Sequence, residues 1–535
     1  MTSQSLKRRV SMIVALILVL ATVLSCLAAC SGSEKSSDKK DEDKTEETQK
    51  SKNNKKDKDT EDTDDEDTDD DGGWLDDDDD EDSEFADLDF NGAEFVILSK
   101  QNEDADFTDC YIDNEEMTGE PVNDAVVVRN MTVEEKYNVK ISRRAESTGY
   151  AREAAMSDTV DFNVVYDWGF RLVPGLMDGI FADMNELNPE YIRLDREYWA
   201  PTTQEDLTVA NRLFLWTSDI SMNRVSWASL IVFNKQLMDN FGLEYPYAYV
   251  QNDTWTYDKY LEIANTACKD NGDGVWDQND VYGSGMIGIG NVVDSSGWTG
   301  YKKTADGRYQ LDFQLENLQR IYNDYKNKLT GSTFANLGID DWNKLVDVSR
   351  FKSKFRASRF ASIGQDHIVM TVFTLDEIQD LEGSESNFGI VPMPKYDASQ
   401  TEYYHYIDSC APMFALMKDS DDLLDAVVLE YMSYQSQKLL YPALLEQTVK
   451  TSLMSDGEGR DEAMLDIIRG SAHYKFGGVY GVYGINNADG RGWDPIGTML
   501  GEMLSEGEFK AVMNKYQSAA VVSLDKFCDT IKSMD

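Results

Sequence analysis

Short apolar runs rich in β-forming residues alternate with helical segments near the start of the folded region, and this alternation restricts the fold more than any other feature. AEFVILSK (93–100), VKISRR (139–144) and DFNVVYDWG (161–169) predict strands. Helical spacing of apolar residues over 123–138 and 150–157 predicts a helix between successive strands. Because strands joined through a helix run parallel, the pattern predicts an α/β fold with parallel-type sheets flanked by helices.

The same mixture continues through the rest of the chain. RLFLWTSDI and WASLIVFNKQLM (212–238) predict further strands, as do RFASIGQDHIVM and NFGIVPMPKY. From Asp421 onward the apolar spacing predicts mainly helices. A chain of 535 residues is long enough to form two domains.

The N-terminal residues have the pattern of an export signal. Three basic residues, 7–9, precede an apolar run that ends at LAAC (27–30). LAAC resembles the lipobox of bacterial lipoproteins, in which the cysteine thiol is lipidated and becomes the new N-terminus. We therefore predict a signal peptide over 1–29 and a lipid anchor at Cys30, on the extracytoplasmic face of the cell membrane. An uncleaved membrane helix is the alternative.

Residues 30–84 are dominated by Asp, Glu, Lys and Ser, as in SEKSSDKKDEDKTEETQK and DTDDEDTDDDGG. So few apolar residues cannot form a core that offsets the entropy of ordering the chain. We therefore predict that this segment is a disordered acidic tether.

Charge and composition argue against several functions. The net charge of −48 would repel a phosphate backbone, so we expect no nucleic-acid partner. Three histidines are too few for a typical multi-histidine metal centre. After Cys30, the remaining cysteines are widely spaced, and we expect them to be unpaired: Cys110, Cys268, Cys410 and Cys528.

Several segments, in a fixed order, resemble a known family. They are DFNGAEFVIL, NDAVVVRNMTVEEKYNVKI, VVYDWGF with GLMDGIFADM, LIVFNKQLM, NGDGVWDQNDVYG, NFGIVPMPKYD, and YPALLEQTVKTSL with DEAMLDIIR. Over residues 88–535 the chain is similar to the bacterial extracellular solute-binding lipoproteins of ABC importers, in family 1, the carbohydrate type.

This resemblance implies a two-lobed periplasmic-binding-protein-like fold of type II, with a hinge between the lobes. By analogy, lobe one comprises 88–212 plus 350–418, and lobe two comprises 213–349 plus 419–535. The resemblance also implies a monomeric receptor rather than an enzyme. It would need no cofactor, hold a small molecule such as an oligosaccharide, and deliver it to the transmembrane subunits of an ABC permease.

A sugar ring has an apolar face and a rim of hydroxyl groups, so its site needs aromatic rings beside polar side chains. Loops that follow strands of an α/β sheet are where such sites form. For every candidate the alternative is ordinary packing, and the resemblance marks Trp298 as a stacking position with Asp294 as its polar companion. The candidate ligand-binding residues are Asp167, Trp168, Arg224, Trp227, Asp294, Trp298, Asp366, His367 and Trp493.

The segment KDNGDGVWDQND (269–280) resembles a calcium loop. Asn271, Asp273, Asp277 and Asp280 fall at four ligand positions of an EF-hand-like register. Lys269 stands where the first carboxylate belongs, and an ordinary Asp/Asn/Gly turn is the alternative. The hypothesis is a structural calcium ion.

Other functions fit the same composition. A surface-anchored carbohydrate hydrolase needs two carboxylates flanking a bond, and an acidic chain offers many such pairs. The GxSxG, HExxH and GxxxxGK[ST] motifs are absent from the sequence. A receptor for peptides and an adhesin without a small ligand are the remaining alternatives.

Overall fold

Two five-stranded sheets form the centre of the globular unit. A computed structural model describes residues 85–99, 112–114, 116–285, 287–312, 314–328, 334–335, 337–351, 353–408, 410–451, 459–480, 501–503, 505 and 508–534. All of them belong to the unit Asp78–Asp535. The predicted signal peptide, Cys30, the predicted tether, Cys110 and Trp493 lie outside the described residues.

The strands are β1 Ala93–Ser99, β2 Val139–Arg144, β3 Val164–Trp168, β4 Leu215–Trp216, β5 Ser229–Asn234, β6 Tyr282–Gly285, β7 Tyr301–Lys303, β8 Tyr309–Leu311, β9 Phe334–Ala335, β10 Ile368–Thr374, β11 Phe388–Val391, β12 His405–Tyr406, β13 Pro412–Leu416 and β14 Ala472–His473.

The α-helices are α1 Pro121–Tyr137, α2 Thr148–Met156, α3 Gly169–Met177, α4 Pro201–Leu207, α5 Asn223–Ser226, α6 Lys235–Phe241, α7 Tyr247–Gln251, α8 Tyr257–Thr266, α9 Ile289–Ser295, α10 Leu315–Lys328, α11 Ile339–Trp342, α12 Lys354–Arg359, α13 Leu375–Ile378, α14 Asp422–Thr451, α15 Arg460–Gly470, α16 Phe476–Tyr480 and α17 Phe509–Lys532. Among the described residues, no helix combines the length and the apolar character needed to span a bilayer.

The first sheet has the strand order β2-β1-β3-β13-β4. β1 runs parallel to β2 and β3, and β13 runs antiparallel to β3 and β4. Residues 95–98 of β1 are all buried, as expected for a strand covered on both faces. The helices α1 and α14 pack against each other in this lobe.

The second sheet has the strand order β11-β5-β10-β6-β9. β10 runs parallel to β6 and antiparallel to β5, and β11 is antiparallel to β5. The helix α15 packs against β11, where Asp461 accepts a 3.0 Å hydrogen bond from the backbone N–H of Ile390. This sheet and its helices form the second lobe.

The predicted two-lobed α/β class is confirmed, with two corrections. The sheets are mixed rather than parallel throughout, because β5 and β13 enter from the other lobe and pair antiparallel with their neighbours. The strand assignment also differs. β10 and β11 lie in the second sheet, although residues 350–418 were assigned to lobe one. β4 lies in the first sheet, although residues 213–349 were assigned to lobe two. The sequence of an apolar segment rich in β-forming residues does not indicate which of two sheets the strand joins.

The chain passes between the lobes through segments that lie side by side. Among the crossings whose residues the structure describes, the first (217–228) joins β4 to β5, the second (392–411) joins β11 to β13, and the third (471–475) joins α15 to α16. The N–H of Asp408 donates to the carbonyl of Trp227 over 3.1 Å. β12 of the second crossing pairs in parallel with β14 of the third. These adjacent crossings form the hinge between the lobes.

Both sheets direct the carboxyl ends of their parallel strands toward the crossings. In the first sheet, Trp168 at the end of β3 pairs with Pro412, which follows the second crossing. In the second sheet, Thr374 at the end of β10 pairs with Ser229, which follows the first crossing. In α/β sheets, ligands bind at the carboxyl ends of strands, and in this fold both of these edges face the hinge.

Candidate functional site

The end of β3 presents an aromatic ring and two charged groups at the hinge-facing edge of the first sheet. Trp168 is half-buried, and the guanidinium carbon of Arg171 lies 4.0 Å from the centre of its ring. The carboxylate of Asp167 lies 3.6 Å from that guanidinium and accepts a 2.8 Å hydrogen bond from the hydroxyl of Thr148. Asp167 and Trp168 therefore lie at the strand end where the sequence predicted them.

Arg224 and Trp227 lie in the first crossing, where both side chains are buried. Arg224 donates to Asp219 over 2.9 Å, and Asp219 also accepts a 2.9 Å hydrogen bond from Arg469 of α15. Asp219 is fully buried, so this ion cluster ties the first crossing to the second lobe. The structure gives Arg224 and Trp227 contacts that hold the hinge, and their predicted role in ligand binding stays a prediction.

Asp294 connects the second lobe to the third crossing. Its carboxylate lies at the end of α9 and forms an ion pair with the ammonium of Lys475. Burial raises the pKa of Asp294. Lys475 also lies 4.9 Å from the centre of the Tyr406 ring in the second crossing. Asp294 and Lys475 thus place a carboxylate and an ammonium group beside the hinge.

Trp298 lines a pocket of about 450 Å³ between the loop that follows α9, β7, α10 and the second crossing. Its indole N–H donates to the backbone carbonyl of Asp312 over 3.0 Å. The aromatic and charged residues that line this pocket, called the tyrosine pocket below, are Trp298, Tyr301, Asp312, Arg320, Tyr396, Asp397, Glu402 and Tyr404. Hydrogen bonding to Ser399 and to Arg320 lowers the pKa of Asp397 to about 2, so this carboxylate is ionised at neutral pH.

The sequence analysis did not identify several residues of these sites. The stretch PKYDASQTEYYHY (394–406) contains four tyrosines after a strand, and its composition could have marked it. Tyr396, Tyr404 and Tyr406 from this stretch reach the pocket or the ion pair. Lys475 is one lysine among many, and nothing in its local sequence indicates an ion pair with Asp294.

Asp366 and His367 lie at the opposite edge of the second sheet. The sequence predicted a strand over RFASIGQDHIVM, whereas the structure places Asp366 and His367 before β10, after a helical segment that includes Phe360–Gly364. Asp366 accepts hydrogen bonds from Asn234 (2.5 Å) and Ser386 (2.6 Å). His367 contacts the carbonyl of Asp280 through Nδ1 at 3.3 Å, and burial lowers its pKa. Asp366 and His367 therefore precede the strand, and their role in ligand binding stays a prediction.

The loop 269–280 lies beside His367 at that same amino-terminal edge. The carboxylate of Asp280 accepts hydrogen bonds from the N–H groups of Asn271 (2.8 Å) and Asp277 (2.6 Å). The carboxylates of Asp273 and Asp277 accept from N–H groups two residues ahead. Within the described ranges, no three His, Cys, Asp or Glu side chains are arranged to hold a metal ion. Calcium binding stays a prediction, which titration of CaCl₂ into the full chain would check.

No protein-family model matches this sequence, and no curated protein sequence matches it. Solved structures align over most of the chain. The GacH receptor of Streptomyces glaucescens, solved unliganded and with acarbose, has a TM-score of 0.44 at 12% identity and covers 83% of this chain and 100% of its own. The maltose/maltodextrin-binding domain MalE from Bdellovibrio bacteriovorus, bound to maltotriose, gives 0.44 at 12% identity, covering 81% and 99%. UgpB from Mycobacterium tuberculosis, with glycerophosphocholine, gives 0.46 at 12% identity, covering 81% and 98%.

These TM-scores lie below 0.5. The assignment of the fold therefore rests on the strand order and the chain crossings of the molecule itself.

Proposed function

We propose that the chain is a membrane-tethered extracellular receptor that captures a solute, an oligosaccharide in the first instance, and presents it to an ABC import permease. The observation that carries this proposal is the set of adjacent crossings between two lobes whose strand ends face them. Such a connection lets the lobes rotate about the crossings and enclose a ligand. A receptor of this kind works by closure.

The groups at the two facing edges support a ligand that is rich in hydroxyl groups. Trp168 supplies an aromatic face, and Asp167, Asp294 and Lys475 supply charged hydrogen-bonding groups. Stacking on an aromatic ring suits the apolar face of a sugar, and carboxylates accept hydrogen bonds from its hydroxyls. The guanidinium of Arg171 lies over Trp168, so a stacked sugar ring would compete with Arg171 for that face.

The lipid anchor, the tether, the oligomeric state and the permease partners are proposed from the sequence. We propose lipidation at Cys30, a tether over 30–84, and a monomer working at the extracytoplasmic face with the permease subunits as partners. Metabolic labelling with a radioactive fatty acid tests the anchor: the wild type should carry label, and Cys30→Ala should not. Label on the variant would show that another residue is acylated.

Solution scattering with the purified full chain tests the receptor proposal. Acarbose and maltotriose, the ligands named for the GacH and MalE structures, are the first compounds to use. We expect a saturable decrease in the radius of gyration as the lobes close, with the oligosaccharide recovered intact.

Each other outcome supports a different function. Release of reducing ends from maltotriose would support the hydrolase. Closure with a peptide, but with no glycan, would support the peptide receptor. If neither a glycan nor a peptide panel raises the melting temperature, the adhesin alternative gains support.

A further inference from the structure

A tight turn just before β4 has an unusual backbone conformation. Val209 and Arg212 exchange two backbone hydrogen bonds of 2.9 Å. The two residues between them, Ala210 and Asn211, have φ values of 52° and 67°. Asparagine tolerates this left-handed region, whereas alanine is uncommon there because its Cβ crowds the backbone. Since β4 lies in the first sheet, this turn (209–212), called the lobe-one turn below, belongs to the first lobe.

The β7–β8 hairpin belongs to the second lobe. The chain leaves the second sheet at β6, forms α9, the hairpin and α10, and returns to that sheet at β9. Tyr301 of β7 lines the tyrosine pocket together with residues of α10. At the tip of the hairpin, the N–H of Thr304 donates to the carbonyl of Arg308 over 2.8 Å. The N–H of Gly307 donates to the carbonyl of Thr304 over 3.0 Å, which completes the tip.

The lobe-one turn and the hairpin tip contact each other, and this contact is called the clasp below. The N–H of Ala210 donates to the carbonyl of Gly307 over 2.8 Å. The side-chain amide of Asn211 donates to the carbonyl of Asp306 over 3.4 Å. Gly307 has a φ of 77°, and a Cβ there would lie 2.9 Å from the backbone nitrogen of Asn211. Both tips are therefore shaped for this contact, which holds alanine in a conformation it rarely adopts.

The strands of the hairpin continue the contact along α4. The hydroxyl of Tyr309 donates to the carbonyl of Asp206 over 2.7 Å. The ammonium group of Lys303 donates to the carbonyl of Glu205. Since α4 packs against β4, these two hydrogen bonds also join the second lobe to the first. The ring of Tyr309 stacks on Phe476, with 4.1 Å between the ring centres, so the hairpin lies beside the end of the third crossing.

The hairpin has a support of its own within the molecule. Arg308 forms ion pairs with Asp525 and Asp529 of α17, and α17 packs against both β8 and α10. The hairpin therefore acts as a braced arm. Hydrogen bonds weaken steeply when their atoms separate or lose alignment, so a rotation of one lobe against the other cannot keep all four inter-lobe bonds in place. Asn211 and Asp306 are exposed, and water can replace their hydrogen bond at little net cost.

We propose that the clasp holds the two lobes in one relative orientation before any ligand binds, and that it separates when the lobes rotate about the crossings. The contact is specific in shape, because two tight turns fit each other. It is also reversible, because it consists of a few polar contacts near the surface. The clasp acts in the ligand-free protein, so its existence does not rest on the proposed function.

Two measurements on the ligand-free full chain test the proposal. Hydrogen exchange followed by mass spectrometry reports on the clasp itself, through peptides that contain the lobe-one turn. Solution scattering reports on the orientation of the lobes. In Gly307→Val, the new side chain collides with Asn211, so exchange in the lobe-one turn should become about tenfold faster. The radius of gyration should increase, because the lobes lose an attachment and separate.

Tyr309→Phe is the milder variant, because it removes the hydroxyl and keeps the ring on Phe476. We expect changes of the same sign and smaller size. The matched control is Gln310→Ala, an exposed neighbour on β8, which should behave like the wild type in both measurements. Exchange in β1 should stay unchanged in all three variants, which excludes general unfolding.

Two results would overturn the proposal. Unchanged exchange in the lobe-one turn of both Gly307→Val and Tyr309→Phe would show that the clasp does not protect this turn. Faster exchange with an unchanged or smaller radius of gyration would show that the clasp does not hold the lobes together. Neither measurement uses a glycan, so a failure of the receptor proposal would leave both results as they stand.

Discussion

The two edges of the second sheet carry the same kinds of side chains and use them differently. At the carboxyl edge, Trp298 lines an open pocket and Asp294 reaches a lysine of the third crossing. At the amino edge, Asp366 and His367 bond to neighbouring segments of the same lobe. The position of a residue relative to the strand end, rather than its type, therefore separates groups available to a ligand from groups that hold the fold. Changes at the carboxyl edges should alter binding, changes at the amino edge should alter stability, and changes in the crossings should alter stability most.

The largest effect is expected in the first crossing. Asp219→Ala leaves the guanidinium groups of Arg224 and Arg469 buried without their shared carboxylate, and Glu197 alone cannot balance both. We expect a loss of about 3–5 kcal/mol in the free energy of unfolding, measured by urea denaturation. The exposed Asp195→Asn should stay within about 0.5 kcal/mol of the wild type. A small loss for Asp219→Ala would show that the cluster does not stabilise the hinge.

Trp168→Ala tests the carboxyl edge of the first sheet. Removing the aromatic face should reduce the affinity for the proposed oligosaccharide by about tenfold to a hundredfold, because stacking and apolar contact are lost. Calorimetry measures the affinity, and thermal melting should change little because Trp168 is half-buried. The control is Trp276→Ala, an exposed tryptophan in the loop at the amino edge, which should bind normally. An equal loss of affinity in Trp168→Ala and Trp276→Ala would contradict the conclusion that only the carboxyl edges bind the ligand.

The second crossing should make stability depend on pH. His405 is buried, its Nε2 accepts a 3.0 Å hydrogen bond from the N–H of Met393, and burial lowers its pKa to about 3. Because the folded state holds this imidazole neutral, its contribution is complete above the unfolded pKa of about 6.5 and is lost as the pH falls toward 3. Below the unfolded pKa, the free energy of unfolding falls by about 1.4 kcal/mol per pH unit, which amounts to about 2 kcal/mol at pH 5.

Urea denaturation of the wild type and of His405→Gln between pH 7.5 and pH 5 measures this effect. The glutamine carbonyl can accept the same N–H and does not titrate, so the difference in the free energy of unfolding between the two proteins should shrink with acidification. Parallel pH curves for the two proteins would contradict the prediction.

The smallest effect is expected at the amino edge of the second sheet. Asp366→Ala removes two hydrogen-bond acceptors, and alanine is less favourable than aspartate at a backbone φ of 63°. We expect a loss of about 1–2 kcal/mol in the free energy of unfolding and an unchanged affinity for the oligosaccharide. Asp366→Asn should retain part of that stability, because asparagine tolerates the left-handed conformation. A weaker affinity at full stability would instead place Asp366 in a ligand site.

The sequence predicted what depends on local pattern. The alternation of strands and helices located β1, β2 and β3, and the end of the third strand located Asp167 and Trp168 at the correct edge. The prediction failed where a helix and a strand share one apolar run. RFASIGQDHIVM was predicted to be a strand, but its first part is helical. Asp366 and His367 therefore precede β10 instead of following a strand.

Long-range pairing was the other limit. Lys475 meets Asp294, and Arg469 meets Asp219, across separations that no local pattern encodes. The assignment of β10 and β11 to the second sheet has the same cause, because strands of similar composition can join either sheet.

The place of β13 in the first sheet has a consequence for how the protein is made. β13 lies between β3 and β4, yet it leaves the ribosome about 240 residues after β3, so the sheet stays split until that late segment arrives. Pairing over so long a separation is slow, because a large loop must close before the contacts form. During synthesis the first lobe can therefore not complete its sheet until residues 412–416 have emerged. The same order of strands predicts that a chain truncated before residue 412 cannot form the first lobe.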